Sequence, residues 1–367
     1  MYSKELESIK KSNRFRTREI FDENLIDLAS NDYLGLSINK NLFQKAYEKV
    51  LSRNFHSPRA SMLVNGYTLI HKEFEDKLCE VNNFEAAITV GSGFLANISM
   101  IEALIRKNDI LFIDEEYHAS GILATKLLKP EQVVIFKHND FKDLENKILQ
   151  NNKIGRKIIA IEGVYSMGGD LAPIEIFQIA DKYKSLLIVD EAHSSGVIGE
   201  NLLGIFDYYK ITPNKYHIKM GTLGKAYGSY GAYILASKQI IDFLTNRAKP
   251  IIYSTAPSLF DTALANESLN YIIKNKTNLK KQIEKNLLII YEILGIKSNS
   301  LIIPIEIGNN KKVKELQETL KQKGYLVGAI RQPTVKSAII RLIAKIDVNE
   351  KDLIEICNLL KELNVNK

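Results

Sequence analysis

Leu186-Leu187-Ile188-Val189-Asp190-Glu191-Ala192-His193-Ser194-Ser195-Gly196 is the stretch on which the fold of this chain turns. Four aliphatic residues in a row are too short for a helix. They describe a strand buried on both faces, and such strands belong to parallel sheets covered by helices. An acid stands directly at the carboxyl end, where burial is costly unless the carboxylate meets a cation. Open α/β sheets collect ligands at the carboxyl ends of their strands. The residues that follow each apolar run are therefore where chemistry is to be sought.

Similar runs occupy residues 86–90, 110–113, 133–136, 158–161, 216–220 and 233–235, with helical periodicity between them. The pattern predicts an α/β fold with a mainly parallel seven-stranded sheet and helices on both faces. Beyond residue 257 the grammar changes. A long Lys/Asn-rich helix over 261–294 precedes a strand at 301–307, a helix at 312–323, two more strands and an amphipathic helix at 350–363. This is the pattern of a smaller C-terminal α+β domain. The first forty residues read as a charged arm, a short strand at 25–28 and a tight turn at Asn31-Asp32-Tyr33-Leu34-Gly35. The expected organisation is an N-terminal arm (1–38), a large domain (39–256) and a small domain (257–367).

The 367 residues are 45% hydrophobic and 25% charged, which excludes disorder and a disulfide-stapled miniprotein. Fifty Lys and Arg against 43 Asp and Glu leave +7, but the lysines are interleaved with glutamates, as in Lys311-Lys312-Val313-Lys314-Glu315. They read as solvated helix faces, and no nucleic-acid partner is expected. The two cysteines, Cys79 and Cys357, form no C-x-x-C pair, so no metal site is expected and a reducing compartment suits them. No apolar stretch reaches the roughly 18 residues of a membrane span, and residues 1–18 lack the apolar core of a signal peptide. A cytoplasmic protein with no membrane partner is expected.

At the strand ends stand several groups that plain structure would not need. Gly91-Ser92-Gly93-Phe94 opens a helix over 95–106, and a helix N-terminus with small residues suits an anion such as phosphate. Read by itself, it is also an ordinary strand-to-helix turn. His118 follows the second run in Asp114-Glu115-Glu116-Tyr117-His118-Ala119-Ser120, and Glu162 opens the glycine-rich segment that ends at Asp170. Lys225 lies in Gly221-Thr222-Leu223-Gly224-Lys225-Ala226-Tyr227-Gly228. Desolvated there, its ammonium would lose a proton more easily, as a Schiff-base lysine requires; a solvated loop lysine is the plainer reading. Two other readings fail. Asp190-Glu191-Ala192-His193 spells a helicase box, but no upstream G-x-x-x-x-G-K-[ST] loop exists. Neither G-x-S-x-G nor H-E-x-x-H occurs.

Taken in order, these residues resemble the pyridoxal-phosphate (PLP) enzymes of fold type I. That cofactor needs a lysine, a carboxylate for its ring nitrogen, a group to stack on the ring and a phosphate cradle. Lys225, Asp190, His118 and Gly93/Phe94 stand in those places. The resemblance narrows to the α-oxoamine synthase family through Asn31-Asp32-Tyr33-Leu34-Gly35-Leu36, Gly91-Ser92-Gly93-Phe94-Leu95-Ala96-Asn97 and Tyr117-His118-Ala119-Ser120. Glu162-Gly163-Val164-Tyr165-Ser166-Met167, the Asp190–Gly196 stretch and Thr222-Leu223-Gly224-Lys225 continue it. Ile252-Tyr253-Ser254-Thr255 and Ala329-Ile330-Arg331-Gln332-Pro333-Thr334-Val335 complete it.

The resemblance implies a homodimer with shared active sites that condenses an amino acid with an acyl thioester and releases carbon dioxide. Its last segment is most similar to members that join alanine to pimeloyl-CoA, or to pimeloyl-acyl carrier protein, in biotin biosynthesis. Members that use glycine and acetyl-CoA come next. By the same resemblance Lys225 carries the cofactor and removes the α-proton, Asp190 holds the ring nitrogen, and His118 stacks on the ring. His193 and Ser166 lie near the phenolic oxygen, and Glu162 supports the site. Gly93, Phe94 and Thr222 hold the phosphate, with Ser254 or Thr255 arriving from the second subunit. Asn31 and Arg341 take the amino-acid carboxylate, Arg331 lines the acyl-chain side, and the arm offers Arg14, Arg16 and Arg18. The chain departs from the family at 56–66, where a glycine-rich stretch is usual, and at Gly168, where an Asp is usual. After Arg341, usual Thr/Ser positions are Ile343, Ala344 and Lys345.

Overall fold

The computed structural model describes residues 1–12, 14–151 and 154–363. In chain order the strands are β1 (Ile26–Leu28), β2 (Ala86–Val90), β3 (Ile110–Asp114), β4 (Val133–Phe136), β5 (Lys157–Glu162) and β6 (Leu186–Asp190). They continue as β7 (His217–Thr222), β8 (Ala232–Ala236), β9 (Ile302–Gly308), β10 (Tyr325–Ile330) and β11 (Ala338–Ile343). The chain forms two compact units, one of residues 34–166 and 170–279, the other of 1–33, 167–169 and 280 onward.

The larger unit is built on a seven-stranded sheet in the order β2-β8-β7-β6-β5-β3-β4. The seven apolar runs are these seven strands. All pairings from β7 to β4 are parallel, while β8 runs against both β7 and β2. Because only β8 is reversed, the ends of the other six strands, among them Val90, Asp114, Glu162, Asp190 and Thr222, share one edge of the sheet. β3, β6 and β8 are buried at every residue, as a sheet covered on both faces requires. β3, β5 and β6 each run one residue past the apolar run, so Asp114, Glu162 and Asp190 belong to the ladder itself. β7 ends at Thr222 because Gly221 and Thr222 pair with Tyr233 and Ala232. Gly221 permits this, since a Cβ there would lie 2.3 Å from the Tyr233 ring.

The helix after β2 spans Gly93–Leu104, two residues earlier at each end than its periodicity predicts. The cause is the cap: Ser92 Oγ accepts the Leu95 N–H at 3.2 Å, which starts the helix at Gly93. The helix packs on several sides, with Ala96, Asn97, Ser99, Met100 and Ile101 all buried, so a one-sided stripe does not mark its limits.

In the smaller unit, β1 pairs parallel with β10, which continues antiparallel through β11 to β9. Asn309 and Asn349 cap the helices Asn310–Gln322 and Glu350–Glu362. The 36-residue helix Leu259–Leu294 begins in the larger unit and ends in the smaller. Among the described residues no helix is long and apolar enough to cross a membrane.

Candidate active site

Asp190 is 4% exposed at the end of β6. Its Oδ1 accepts the Ala192 N–H at 3.0 Å and its Oδ2 accepts Asn97 Nδ2 at 2.8 Å. Both donors are neutral, so the hydrogen bonds orient the carboxylate without neutralising it. From Asn97 the network runs on: Nδ2 also donates to Ser120 Oγ at 2.9 Å, and Oδ1 accepts the Tyr117 hydroxyl at 2.7 Å. Ser120 Oγ lies 2.7 Å from His118 Nδ1, which also accepts the Ser120 N–H at 3.2 Å. A ring nitrogen that accepts an amide N–H carries no proton, so a neutral His118 is protonated at Nε2. Burial lowers its pKa, against the pull of the Asp190 charge. The structure thus joins Asp190 and His118 through Asn97, to which sequence reading gave no role. Its signal was an amide side chain in a helix otherwise rich in apolar residues.

Lys225 sits in the turn between β7 and β8, which is tied by Leu223 N–H to Gly231 O, Ser229 N–H to Leu223 O and Gly228 N–H to Lys225 O, each 2.9 Å. Gly228 (φ +57°) and Gly231 (φ +120°) supply backbone angles that side chains disfavour. Lys225 Nζ lies 2.7 Å from Nε2 of the buried His193. Either nitrogen can donate in this contact, according to which of the two carries the proton. The structure brings the lysine and the histidine of the two strand-end segments into direct hydrogen bonding.

Glu162 faces Asp190 in register across the parallel pair β5–β6. It is 2% exposed; Oε2 accepts the Ser166 N–H at 3.0 Å, while Oε1 is buried without a hydrogen-bond partner. Burial and then the neighbouring Asp190 charge push its carboxyl well above the usual carboxylate range. Two adjacent buried acids cannot both ionise cheaply, and burial with the neighbouring charge favours the protonated form of Glu162.

Gly93 and Thr222 are neighbours: a Cβ on Gly93 would lie 3.8 Å from Thr222 Cβ. A side chain there would make ordinary contacts with Thr222 and with Met220 at 3.9 Å, at the start of a twelve-residue helix. Phe94 is 45% exposed on the same turn. Ser254 and Thr255 follow the short helix Lys249–Ile252, and the strip's backbone partners are Ser61, bridged to Thr255, and Ala60, whose carbonyl accepts the Ala256 N–H at 3.0 Å. In the smaller unit Arg341, 5% exposed, donates from Nη1 to Asn31 Oδ1 at 3.0 Å, and the Tyr33 hydroxyl donates to the same oxygen at 3.2 Å. Sequence reading named Arg341 and Asn31 for one role, and the fold places them side by side. Arg331 follows β10, and its carbonyl accepts the Thr334 N–H.

A second buried group escaped the sequence reading. Glu191 and Lys219 are 0% and 1% exposed, with Lys219 Nζ 3.7 Å from Glu191 Oε1. Glu191 also accepts from Ser194 Oγ and from the Ile205 N–H at 2.7 Å. Lys219 donates to Asn82 Oδ1 at 2.8 Å and to the Leu203 carbonyl, and burial lowers its pKa. A lysine inside an apolar strand was the signal. Glu191→Gln should cost about 3–5 kcal/mol by stranding the Lys219 charge. Adding Lys219→Met should restore most of it in denaturant titrations; a single variant as stable as the parent would refute the pairing.

The sequence pattern of the aminotransferase class I and II family matches residues 23–360. The chain is 49% identical to the 8-amino-7-oxononanoate synthase of Helicobacter pylori strain J99, over 98% of this chain and 96% of that protein. Among solved structures it is similar to 8-amino-7-oxononanoate synthase from Francisella tularensis, with 28% identity, a TM-score of 0.78 and coverage of 94% and 99%. The fold is also that of a serine palmitoyltransferase from S. paucimobilis solved with bound PLP, with 21% identity, a TM-score of 0.88 and coverage of 98% and 95%. This chain, with its strand-end lysine, acids and histidines on a mainly parallel seven-stranded sheet, belongs to the aminotransferase class I and II family.

Proposed function

We propose that this protein is a PLP-dependent acyltransferase that joins L-alanine to pimeloyl-CoA or pimeloyl-acyl carrier protein, releasing carbon dioxide and giving 8-amino-7-oxononanoate for biotin biosynthesis. The observation that carries the reading is the lysine–histidine contact between Lys225 and His193 in the same unit as the Asp190–Asn97–Ser120–His118 network. The identity to 8-amino-7-oxononanoate synthases supports the choice of substrates.

The residues present suit the cofactor. Asp190 is a buried carboxylate held only by neutral donors, so a protonated ring nitrogen would supply the cation its environment calls for. The N-terminus of the Gly93–Leu104 helix, with Thr222 beside it, suits a phosphate. When bound, PLP supplies a sink for the electron pair left at the amino acid's α-carbon. Asp190 would keep the ring nitrogen protonated, and His118 would cover the ring. Lys225 would hold the cofactor and, once the amino acid's amine displaces its Nζ, would take and return the α-proton. His193, within hydrogen-bond reach of Lys225, would border the phenolic oxygen together with Ser166. Glu162, favoured as a neutral acid, would keep a second negative charge away from Asp190. Arg341, steadied by Asn31, forks the substrate carboxylate, and Arg331 borders the acyl chain.

Borohydride reduction of PLP-loaded protein should leave a pyridoxyl group on Lys225, located by peptide mass; recovery on another lysine would overturn its role. An assay of alanine against glycine across acyl thioesters of different length, with products identified by mass, tests the reaction. Turnover confined to glycine and acetyl-CoA would replace the substrate assignment and leave the chemistry.

The protein is further proposed to act as a homodimer in which Ser254 and Thr255 reach the partner's cofactor phosphate. A phosphate with about two negative charges needs more donors than one helix end offers. Ser254→Ala with Thr255→Val should weaken PLP retention, and dilution to monomer should release PLP. A monomer that holds PLP as tightly as the dimer would show that each chain builds its own site. The free thiols Cys79 and Cys357 suit a reducing compartment, and the cytoplasm is the proposed location.

A further inference from the structure

His138 lies just after β4 and has no part in the roles set out above. Its ring is held between acids on both sides. Nδ1 is 3.0 Å from Asp114 Oδ1, Nε2 is 2.9 Å from Asp170 Oδ2, and Glu116 Oε2 lies 3.8 Å from Nε2. A neutral imidazole has one N–H and would turn a lone pair toward one of these carboxylates. Both close contacts are attractive only for an imidazolium. Asn139, at φ +52°, doubles the connection. Its N–H donates to Asp114 Oδ2 at 2.9 Å, and Nδ2 donates to Asp170 Oδ2 at 2.5 Å and to the Leu171 carbonyl at 3.2 Å. The buried Tyr165 ring meets His138 edge-on, with centroids 4.4 Å apart.

The two acids belong to segments that carry proposed site residues. Asp114 Oδ1 accepts the Glu116 N–H at 2.8 Å and the Asp114 carbonyl accepts the Tyr117 N–H at 3.1 Å, which shapes the approach to His118. The Asp170 carbonyl accepts the Tyr165 N–H at 2.9 Å, and Val164 bridges Leu171, which closes the loop around Ser166. We propose that His138 is a positioning residue that, as an imidazolium, fastens the loop bearing Ser166 to the segment bearing His118. The effect on catalysis rests on the PLP reading; the charge state of the ring does not.

Burial works against the charged ring, but the hydrogen bonds and charges of Asp114 and Asp170 outweigh it and raise the pKa to about 10. The folded value exceeds the unfolded one of about 6.5. The clamp's contribution to stability is therefore complete below about 6.5 and lost as pH rises through about 10.

Nitrogen-labelled histidine spectra of the cofactor-free protein test the charge directly, with His138→Gln identifying the signals. The ring is expected to carry both N–H protons between about pH 7 and 9, where a free imidazole is neutral. A midpoint near about 6.5 overturns the proposal. A double-mutant cycle on the loaded enzyme tests the positioning. His138→Gln and Ser166→Ala should each lower kcat by about tenfold to a hundredfold, and the double variant should be no worse than the poorer single one. Additive losses would show that His138 does not act through Ser166. Should His138→Gln fail to fold, Asp170→Asn removes one side of the clamp; it should lower the His138 midpoint and enter the same cycle. An intact titration in a protein that lacks PLP chemistry would overturn the function and leave the clamp.

Discussion

Lys225→Ala is expected to reduce turnover by on the order of 10⁴-fold or more, the upper range for losing a positioned acid–base group, here compounded by loss of the covalent anchor. The fold should survive. The turn is held by backbone bonds among Leu223, Lys225, Gly228, Ser229 and Gly231 that alanine retains. Removing Nζ takes the Lys225 contact from His193 Nε2, a loss confined to one side-chain hydrogen bond. Single-turnover kinetics paired with thermal melts of parent and variant measure both effects. Turnover within tenfold of the parent would take the lysine out of the chemistry.

Asp190→Asn should be the next most damaging change, costing roughly 10²- to 10³-fold in kcat. A buried ion pair broken on one side costs about 3–5 kcal/mol, and each ~1.4 kcal/mol is tenfold in rate. The shape of the site should persist. The oxygen of the introduced amide can still accept the Ala192 N–H, and the Asn97 amide can rotate to meet the new donor. Rotation makes the Tyr117 hydroxyl an acceptor and turns the Ser120 hydroxyl proton from His118 Nδ1 to the amide oxygen, leaving Nδ1 the Ser120 N–H. Loss of activity with an unchanged melting temperature therefore points to charge. Near-parental kcat in Asp190→Asn would make the acid purely structural.

The order of elements was legible because its signals are local. Short apolar runs alternate with helical periodicity, and the six runs whose ends share one edge carry polar residues within the two positions after them. A chain cannot place Asp114, Glu162 and Asp190 at the ends of buried strands without printing that arrangement in its sequence. The same logic singled out Lys225, whose glycine-rich turn is a local need of the β7–β8 connection.

What the sequence by itself determined was the covered, mainly parallel sheet and the residues that stand at its edge, since periodicity and strand-end polarity are properties of consecutive residues. What only the tertiary structure decided was the pairing of those residues across distance. Asn97 reaches Asp190 across 93 positions, His138 is caught between Asp114 and Asp170, Lys219 meets Glu191, and Arg341 meets Asn31 across 310. Sheet order governs these meetings: β6 lies between β5 and β7, so Asp190 has Glu162 and Met220 as register partners. Strand order is chosen by the burial of the whole sheet and leaves no periodicity in any one segment. Protonation follows from the same cause. Burial and Asp190 favour the protonated form of Glu162, and His138 holds its proton because two acids meet its ring.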